Sequence, residues 1–489
     1  MTALAALLVV AALLAWWGAR HTRTASDYFA AGQRAGAWLV GVAGTAAAVS
    51  AFTFVGGPGL FFAVGVGALW ITFSAPLTGA LQCWAVGEPA QAAARRHGIL
   101  TPQELIGVRF GLHARAIAAV MIVIGCIANL AGQARAAAVV GEDLLKLPGI
   151  VAAGVALLAT TAYTAVGGMR AGLLADAVQG LIMATVALLL AGLAIMAAGG
   201  PAAAVATLRH AAPELLGSFG RLPPGRAFAW YLLFCLGTCA QPHYIQKFFF
   251  LRSPKQLKAL PAVLTLALAA TLSVWLGVGV AGSALAAQHR ITLGRPDDLT
   301  PRTLAFLGPG AELLAGIALL AALMSTTASF LNLAAAAVTR DLPAALGKSE
   351  RSLGAARLTT VAVAAIGAAL GASSDRTVAI MSITGWGFFT AAFLPVFTLG
   401  LAWPRGASRS ATAAMLAGAA VDLVLEVVRG HLPAGIEPGL AGAAVGTLVL
   451  VIGGLRLGAD AGGEDLAANG TIGLGVPHAP ASDLAGPSA

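Results

Sequence analysis

Long runs without a charged residue are the feature that most constrains this chain. Met1–Gly18, Gly180–Gly200 and Ala259–Ala287 contain no Asp, Glu, Lys or Arg. Only 10% of the 489 residues are charged, whereas a soluble domain carries about 25%. Because about 20 consecutive apolar residues cross a lipid bilayer as a helix, these runs predict a protein whose solvent is the bilayer.

The apolar runs are numerous enough for about thirteen spans, so the predicted fold class is an all-α membrane protein. The spans lie near 2–18, 36–57, 63–86, 113–141, 147–168, 174–198, 226–248, 259–287, 310–338, 357–373, 377–402, 409–428 and 437–455. We expect four parts: an extra N-terminal helix with its loop (1–35), a core (36–402), two peripheral helices (403–458) and a tail (459–489). The tail is predicted to be disordered because it is rich in Gly, Ala and Pro and has little apolar periodicity.

The charges that flank the spans predict an orientation. Arg20 and Arg23 follow the first apolar run, which is the reverse of a cleavable signal peptide, so we expect a retained helix with its N-terminus outside. Thirteen spans then place the C-terminus in the cytoplasm. Most Lys and Arg residues, with Arg115, Lys247 and Arg340 among them, fall in segments predicted to be cytoplasmic, in agreement with the positive-inside rule. We therefore expect a multi-pass protein of the inner membrane.

The formal net charge of +9 does not indicate a nucleic-acid partner, because the basic residues are spread between the apolar runs. The cysteines do not indicate a metal site either. Cys235 and Cys239 share a helix face, but two further ligands are not close in sequence, so we expect them to pack in the interior. Nothing in the sequence indicates an obligatory protein partner.

Two spans combine Gly and Pro with unusual polarity. The segment 44–59 reads GTAAAVSAFTFVGGPG and the segment 237–247 reads GTCAQPHYIQK. They lie five spans apart, as a repeat of five plus five helices requires, and transporters often break one helix in each repeat at the binding site. The alternative is an ordinary Pro kink, which membrane helices tolerate.

The span near 310–338 carries four hydroxyl side chains at membrane depth: Ser325, Thr326, Thr327 and Ser329. Hard cations are bound by oxygen ligands, and a cage of neutral oxygens suits a monovalent ion that must be released. The Ser325 hydroxyl can also approach the Ala322 carbonyl, three residues earlier. The alternative is hydrogen bonding of each hydroxyl to the preceding helical turn.

An ordered set of motifs resembles the sodium:solute symporter family. The motifs are SDYFAAGQ at 26–33, TPQELIGVRFG at 101–111, TAVGGMRAGLLADAVQG at 164–180, AQPH at 240–243, AALMST at 321–326 and TRD at 339–341. The resemblance implies a core of ten helices in two inverted five-helix repeats, in which the first and sixth core helices are broken. It also implies Na⁺-coupled symport of a small organic solute by alternating access.

The resemblance implies a Na⁺ site between the first and eighth core helices. Its ligands are the backbone carbonyls of Ala46, Val49 and Ala322 and the hydroxyls of Ser325 and Thr326. The acidic residue that follows the Gly-Gly pair matches Asp176, which we expect to receive the ion on its way to the cytoplasm.

The solute site should lie at the midplane beside this ion. Its candidate walls are Ser50, Phe52, Thr53, Gln133, Gln241, His243 and Tyr244. The Gln-Pro-His run is similar to the proline and carboxylate branches of the family more than to the sugar branch. Proline carriers have an Asp in the first core helix where this chain has Ala48, so proline itself stays in doubt.

Arg135 is a charged residue inside a span, and such residues are costly and often functional. It is a candidate to bind a solute carboxylate. Alternatively, it snorkels to the membrane surface or pairs with Glu142 or Asp143. Asp422 and Glu426, one helical turn apart, lie outside the implied core, and we expect a structural role for them.

Three other functions compete with Na⁺ symport. H⁺ coupling on the same fold would use Asp176 or His243 as the titrating group. A transporter-like sensor would need an appended signalling domain, which the short tail after Gly458 does not supply. An intramembrane enzyme would need clustered acids, a nucleophile with its base, or metal ligands, and we find no such cluster in the sequence, so we expect no enzyme activity.

Overall fold

The structure is a computed structural model that describes residues 35–144, 148–403 and 408–457. The predicted span 2–18, the motif 26–33 and the predicted tail 459–489 lie outside the described residues. Within those ranges the regular structure is helical, and the only β contact is a bridge between Ala35 and Leu251. The backbone therefore satisfies its hydrogen bonds within each segment, as a lipid environment demands.

The α-helices are α1 (Ala37–Ala48), α2 (Gly57–Val64), α3 (Leu69–Phe73), α4 (Ala75–Gln82), α5 (Glu88–His97), α6 (Pro102–Phe110), α7 (Leu112–Leu144), α8 (Gly149–Ala197), α9 (Pro201–Ala211), α10 (Pro224–Gly237), α11 (Pro242–Phe248), α12 (Leu260–Ala287), α13 (Leu299–Leu307), α14 (Pro309–Ala336), α15 (Leu342–Ala345), α16 (Leu353–Ala372), α17 (Val378–Pro395), α18 (Ser408–Val427) and α19 (Pro438–Leu457). The π-helical segments are Phe52–Gly56, Cys83–Gly87, Ala337–Asp341 and Val396–Gly400. The 3-10 segments are Gly65–Ala68, Pro213–Leu216, Thr238–Ala240, Pro254–Lys258, Pro296–Asp298 and Arg429–His431.

Nine helices in the described part of the chain are long and apolar enough to cross a membrane. They are Phe52–His97, Leu112–Glu142, Gly172–Ala197, Leu260–Ala287, Pro309–Ala345, Gly354–Ala372, Val378–Gly400, Ser408–Val427 and Pro438–Arg456. The predicted class of an all-α membrane protein is confirmed. The count of thirteen spans and the inverted repeat stay predictions.

The predicted boundary between the spans 147–168 and 174–198 is wrong in the structure. Both spans lie on α8, a single helix of 49 residues. We placed the boundary at Arg170, where the uncharged run is interrupted. Arginine has a high helix propensity, and a glycine costs only about 1 kcal/mol inside a helix, so a charge or a Gly-Gly pair does not by itself end a helix.

Two helices are interrupted at the predicted segments. α1 ends at Ala48, and Val49 has an extended backbone (φ −85°, ψ 116°) before the chain becomes helical again at Ala51. α10 passes through the 3-10 turn Thr238–Ala240 to an extended Gln241 (φ −81°, ψ 110°), after which α11 begins at Pro242. Proline suits the first turn of a helix because it lacks an N–H.

Two apolar clusters pack around these breaks. One includes Ala43 of α1 and Phe330 of α14, and the other includes Ala46 of α1 and Leu323 of α14. The boundary between them therefore crosses α14 at the hydroxyl residues 325–329. Close approach of the helices depends on small side chains, as is common in membranes: a methyl group on Gly277 of α12 would collide with Ala191 of α8.

A buried ionic network ties the ends of α6, α7 and α14 together. Arg115 contacts Asp341 at 2.6 Å and Glu104 at 3.2 Å, and Arg340 contacts Glu104 at 2.6 Å. Thr101 caps α6 by accepting a hydrogen bond from the Glu104 N–H, in a capping box. Arg115 and Arg340 are therefore buried although they carry charge, because their carboxylate partners compensate it, and their predicted place on the cytoplasmic side stays a prediction.

Asp422 and Glu426, the acidic pair on α18, differ in their hydrogen-bond partners. Glu426 binds Arg429 and accepts a hydrogen bond from Thr384 on α17. Asp422 is buried, and neither of its carboxylate oxygens has a hydrogen-bond partner among the described residues. Glu426 therefore links a peripheral helix to the core, while Asp422 packs beside Gly387.

The four cysteines are buried and free.

We predict that Arg115→Met destabilises the folded protein by about 3–5 kcal/mol, because it leaves the buried Asp341 without a cation. Thermal unfolding of the purified protein in detergent measures the effect as a lower midpoint. Arg96→Met, at an exposed position, is the matched control and should leave the midpoint unchanged. Equal midpoints for the two variants would contradict the prediction.

Candidate functional site

The end of α1 brings the five predicted Na⁺ ligands together. The Ser325 hydroxyl donates to the carbonyl oxygen of Ala46 at 2.9 Å and to that of Ala322 at 3.2 Å. The Thr326 hydroxyl donates to the carbonyl oxygen of Val49 at 3.1 Å. The last carbonyls of a helix have no hydrogen-bond donor within that helix, so the hydroxyls of α14 supply the donors that α1 lacks.

This group of oxygens fits a monovalent cation. All five residues are buried, and each contributes a neutral oxygen. A hydroxyl can accept as well as donate, so rotation of the two O–H groups turns their lone pairs toward an ion between α1 and α14. No group of three or more His, Cys, Asp or Glu residues that could hold a metal ion occurs within the described ranges.

The restart of the helix after the break is held by two of the predicted solute residues. The Ala51 N–H donates to the side-chain oxygen of Gln133 on α7 at 3.2 Å. The Phe52 N–H donates to the Ser50 hydroxyl at 3.2 Å. Gln133 and Ser50 therefore shape the break itself, in addition to any contact with a solute.

A cavity of about 120 Å³ lies between the broken helices, roughly ten times the 10–15 Å³ that one water molecule requires. It is large enough for an organic solute. Six of the predicted solute residues line it: Ser50, Phe52, Thr53, Gln133, His243 and Tyr244. Thr326 lines it as well, so the ion ligands and the cavity share a wall.

Gln241 and Arg135 are not among the described residues that line the cavity. The Gln241 amide nitrogen donates to the carbonyls of Gly237 at 3.0 Å and Trp386 at 3.3 Å, which holds the second break against α17. Arg135 is buried, and its positive charge lowers the pKa of Asp297 in the loop before α13, against the larger effect of burial, which raises that pKa.

Glu142, which we considered as a partner for Arg135, binds Arg295 at 3.0 Å instead. The side chain of Asp143, the other candidate, lies outside the description. Among the described residues, Arg135 Nε has no hydrogen-bond partner.

Aromatic rings form one wall of the cavity. Phe52 lies edge-on to Trp275 with ring centroids 5.2 Å apart, and Phe234 stacks on Trp386 at 4.9 Å. Trp275 and Trp386 were not predicted. Gly57 could have indicated from the sequence that a large side chain packs against this position, because the Trp275 indole lies where a side chain at position 57 would be.

Three polar atoms on the cavity walls have no hydrogen-bond partner among the described residues: His243 Nδ1, Trp275 Nε1 and Ser382 Oγ. Buried polar groups are usually hydrogen-bonded, and the Trp275 and Ser382 atoms lie against Gly57 and Gly132. Ser382 lies one helical turn before Trp386 on α17. This spacing could have indicated from the sequence that the two residues share a helix face.

Asp176 has a partner that we did not predict. Its carboxylate oxygen lies 2.6 Å from Lys247 Nζ, and the two residues are 3% and 4% exposed. Lys247 is buried on α11, which begins after the second break, and its predicted place in a cytoplasmic segment stays a prediction. Lys247 also lines the cavity.

With this geometry in place, comparison with known proteins is decisive. The profile of the sodium:solute symporter family matches residues 28–418. The chain belongs to the sodium:solute symporter family. This confirms the family resemblance of the sequence motifs, and a transporter family indicates a membrane carrier and not an enzyme.

Curated members of the family are similar over most of the chain. The high-affinity proline transporter PutP of Bacillus subtilis is 26% identical over 84% of this chain and 89% of its own length. The sodium/pantothenate symporter of Escherichia coli is 26% identical over 86% of this chain and 89% of its own length.

Solved structures share the fold. A Na⁺-coupled sialic acid symporter in a substrate-bound outward-open state aligns with a TM-score of 0.78 and 19% identity, over 93% of this chain and 97% of that chain. Mhp1, a nucleobase-cation-symport-1 family transporter, aligns with a TM-score of 0.52 and 14% identity, over 89% of this chain and 95% of that chain.

We predict that Gly57→Ala destabilises the protein by about 1–3 kcal/mol through overpacking, because the new methyl group would overlap the Trp275 indole. Gly316→Ala in α14 is the matched control, since no atom lies within 4 Å of a methyl group there. It should be neutral or stabilising by up to about 1 kcal/mol. Thermal unfolding in detergent compares the two, and a Gly57→Ala midpoint at or above that of Gly316→Ala would contradict the prediction.

Proposed function

We propose that this protein is a secondary transporter that carries a small organic solute together with Na⁺ by alternating access. The observation that carries the proposal is the meeting of the Ser325 and Thr326 hydroxyls with the Ala46 and Val49 carbonyls, beside a cavity that Thr326 lines. Ala322 completes the proposed set of Na⁺ ligands.

Na⁺ at these oxygens would join α1 to α14. The two hydroxyls donate hydrogen bonds to the α1 carbonyls. With Na⁺ bound, their oxygen lone pairs would coordinate the ion instead, so the ion would replace direct hydrogen bonds with a stronger charge–dipole contact. Because Ser50 caps the restart of the same helix and lines the cavity, the position of α1 affects ion and solute together. This shared element gives each ligand a way to strengthen the binding of the other.

We infer that the solute is an amino acid or another small carboxylate. The relatives are named for proline and pantothenate, and both compounds are carboxylic acids. The proposed wall consists of Ser50, Phe52, Thr53, Gln133, His243 and Tyr244. We assign Gln241 to holding the second break and Arg135 to balancing the charge of Asp297.

We further propose the direction of transport and the placement of the chain. The N-terminus lies outside and the C-terminus in the cytoplasm of the inner membrane. Gly180, one helical turn after Asp176 on α8, packs against Ala46 of the ion site, and Asp176 receives Na⁺ on its way to the cytoplasm. We assign no obligatory protein partner.

The test is uptake into proteoliposomes over a panel of amino acids, carboxylates, sugars and vitamins. We expect accumulation of at least one small carboxylate under an inward Na⁺ gradient and none with choline in place of Na⁺. Equal accumulation under a proton gradient without Na⁺ would contradict Na⁺ coupling and support the H⁺-coupled alternative.

The ion site is tested by the double variant Ser325→Ala/Thr326→Ala. It removes two of five proposed ligands, and we expect the Na⁺ concentration for half-maximal uptake to rise at least tenfold. Thr271→Ala/Ser283→Ala is the matched control, because both hydroxyls are buried on α12 and donate only to carbonyls of their own helix. An unchanged Na⁺ dependence of the first variant would show that the site is misplaced.

A further inference from the structure

The cavity contains a single full charge. Lys247 is the one Lys, Arg, Asp or Glu among the described residues that line it, and the other lining residues are aromatic, aliphatic or neutral and polar. Lys247 lies on α11, the segment that begins at the second helix break. An ammonium group on a cavity wall is a strong determinant of which solutes can be accepted, because a buried charge needs an opposite charge.

The partner of this ammonium group is Asp176, at 2.6 Å. Lys247 Nζ also lies 5.8 Å from the ring centroid of Phe250. The desolvation of two buried ions can exceed the attraction between them, so a buried ion pair is weak support for stability. An ion pair that borders a solute cavity and lies near an ion site can serve in binding instead, because each charged group can leave its partner and bind a ligand.

Asp176 lies on α8, one helical turn before Gly180. Gly180, one turn further along α8, packs against Ala46, and a methyl group on Gly180 would come within 3.3 Å of the Ala46 Cβ. Gln179, next to Gly180, is buried, and its side-chain oxygen has no donor among the described residues. Two residues of α8 with side-chain acceptors, Asp176 and Gln179, thus lie within one helical turn of Gly180, which packs against the proposed Na⁺ site, whereas Lys247 lines the cavity.

We propose that Lys247 recognises the carboxylate of the solute by exchanging partners. With solute and Na⁺ present, the ammonium group of Lys247 leaves Asp176 and binds the solute carboxylate, while Asp176 becomes free to bind Na⁺ beside Gln179. The inference rests on the proposed function and adds to it a specificity-determining residue, a required chemical group on the solute and a reason why the two ligands move together.

The charge balance explains the coupling. Lys247 and Asp176 form a neutral pair, and Na⁺ with a solute whose only charge is its carboxylate forms a second neutral pair, so the fully loaded site is neutral. Na⁺ alone would leave one buried positive charge, and the solute alone would leave one buried negative charge. Because unpaired buried charge is disfavoured, each ligand favours entry of the other, and a neutral solute gains nothing from the exchange.

The experiment compares acids with their uncharged analogues in Na⁺-driven proteoliposome uptake: lactate with lactamide, pantothenate with pantothenol, and glucose and uracil as solutes without a carboxylate. For the wild type we expect kcat/KM to favour the acid at least tenfold. In Lys247→Gln this preference should fall to within about twofold, chiefly through a higher KM for the acid. Lys247→Arg should retain the preference, and Lys255→Gln, at an exposed position, should match the wild type.

The double variant Lys247→Gln/Asp176→Asn removes both charges together, so it leaves no unpaired buried ion if Lys247→Gln alone does not fold. It should show the same loss of preference. An unchanged ratio of acid to analogue in these variants, with uptake of both lowered equally, would assign Lys247 a merely structural role and overturn the inference. Na⁺-driven uptake by the wild type that is confined to solutes without a carboxylate would also overturn it. Absence of Na⁺-driven uptake of every solute would instead overturn the proposed function, and the inference with it.

Discussion

The hydrogen bonds between the end of α1 and the hydroxyls of α14 are the contact on which the rest of the site depends. A helix that stops inside a membrane leaves carbonyls that neither its own helix nor lipid can satisfy. Ser325 and Thr326 satisfy those of Ala46 and Val49. The same neutral oxygens are the proposed ligands of Na⁺, so the contact that makes the break tolerable is also the proposed binding site.

The second consequence of the breaks is the cavity. Because α1 and α10 are interrupted at the boundary between two apolar clusters, side chains beside the breaks line a cavity. Gln133 holds one side of it by accepting a hydrogen bond from the Ala51 N–H. Lys247 is positioned by the second break, since α11 begins after Gln241 and carries its charge inward.

The sequence predicts the parts of this arrangement that are local and misses those that depend on packing. The breaks follow from Gly, Pro and polar residues in 44–59 and 237–247, and the Ser325–Thr326 pair is visible as hydroxyls within an apolar span. The ion pair of Asp176 and Lys247 joins residues 71 positions apart, and no periodicity relates them. The continuity of α8 was missed for a different reason, because charge placement marks where a helix can leave lipid and not where it ends.

The central claim is that one helix break couples a cation to a solute. Equilibrium binding of radioactive Na⁺ and of the transported solute to the purified protein in detergent tests it most directly, each measured with and without the other. Coupling between two sites is reciprocal, so the account predicts that Na⁺ raises solute affinity and that the solute raises Na⁺ affinity by the same factor, typically about 5–150-fold. A solute affinity that is the same in Na⁺ and in choline would contradict it.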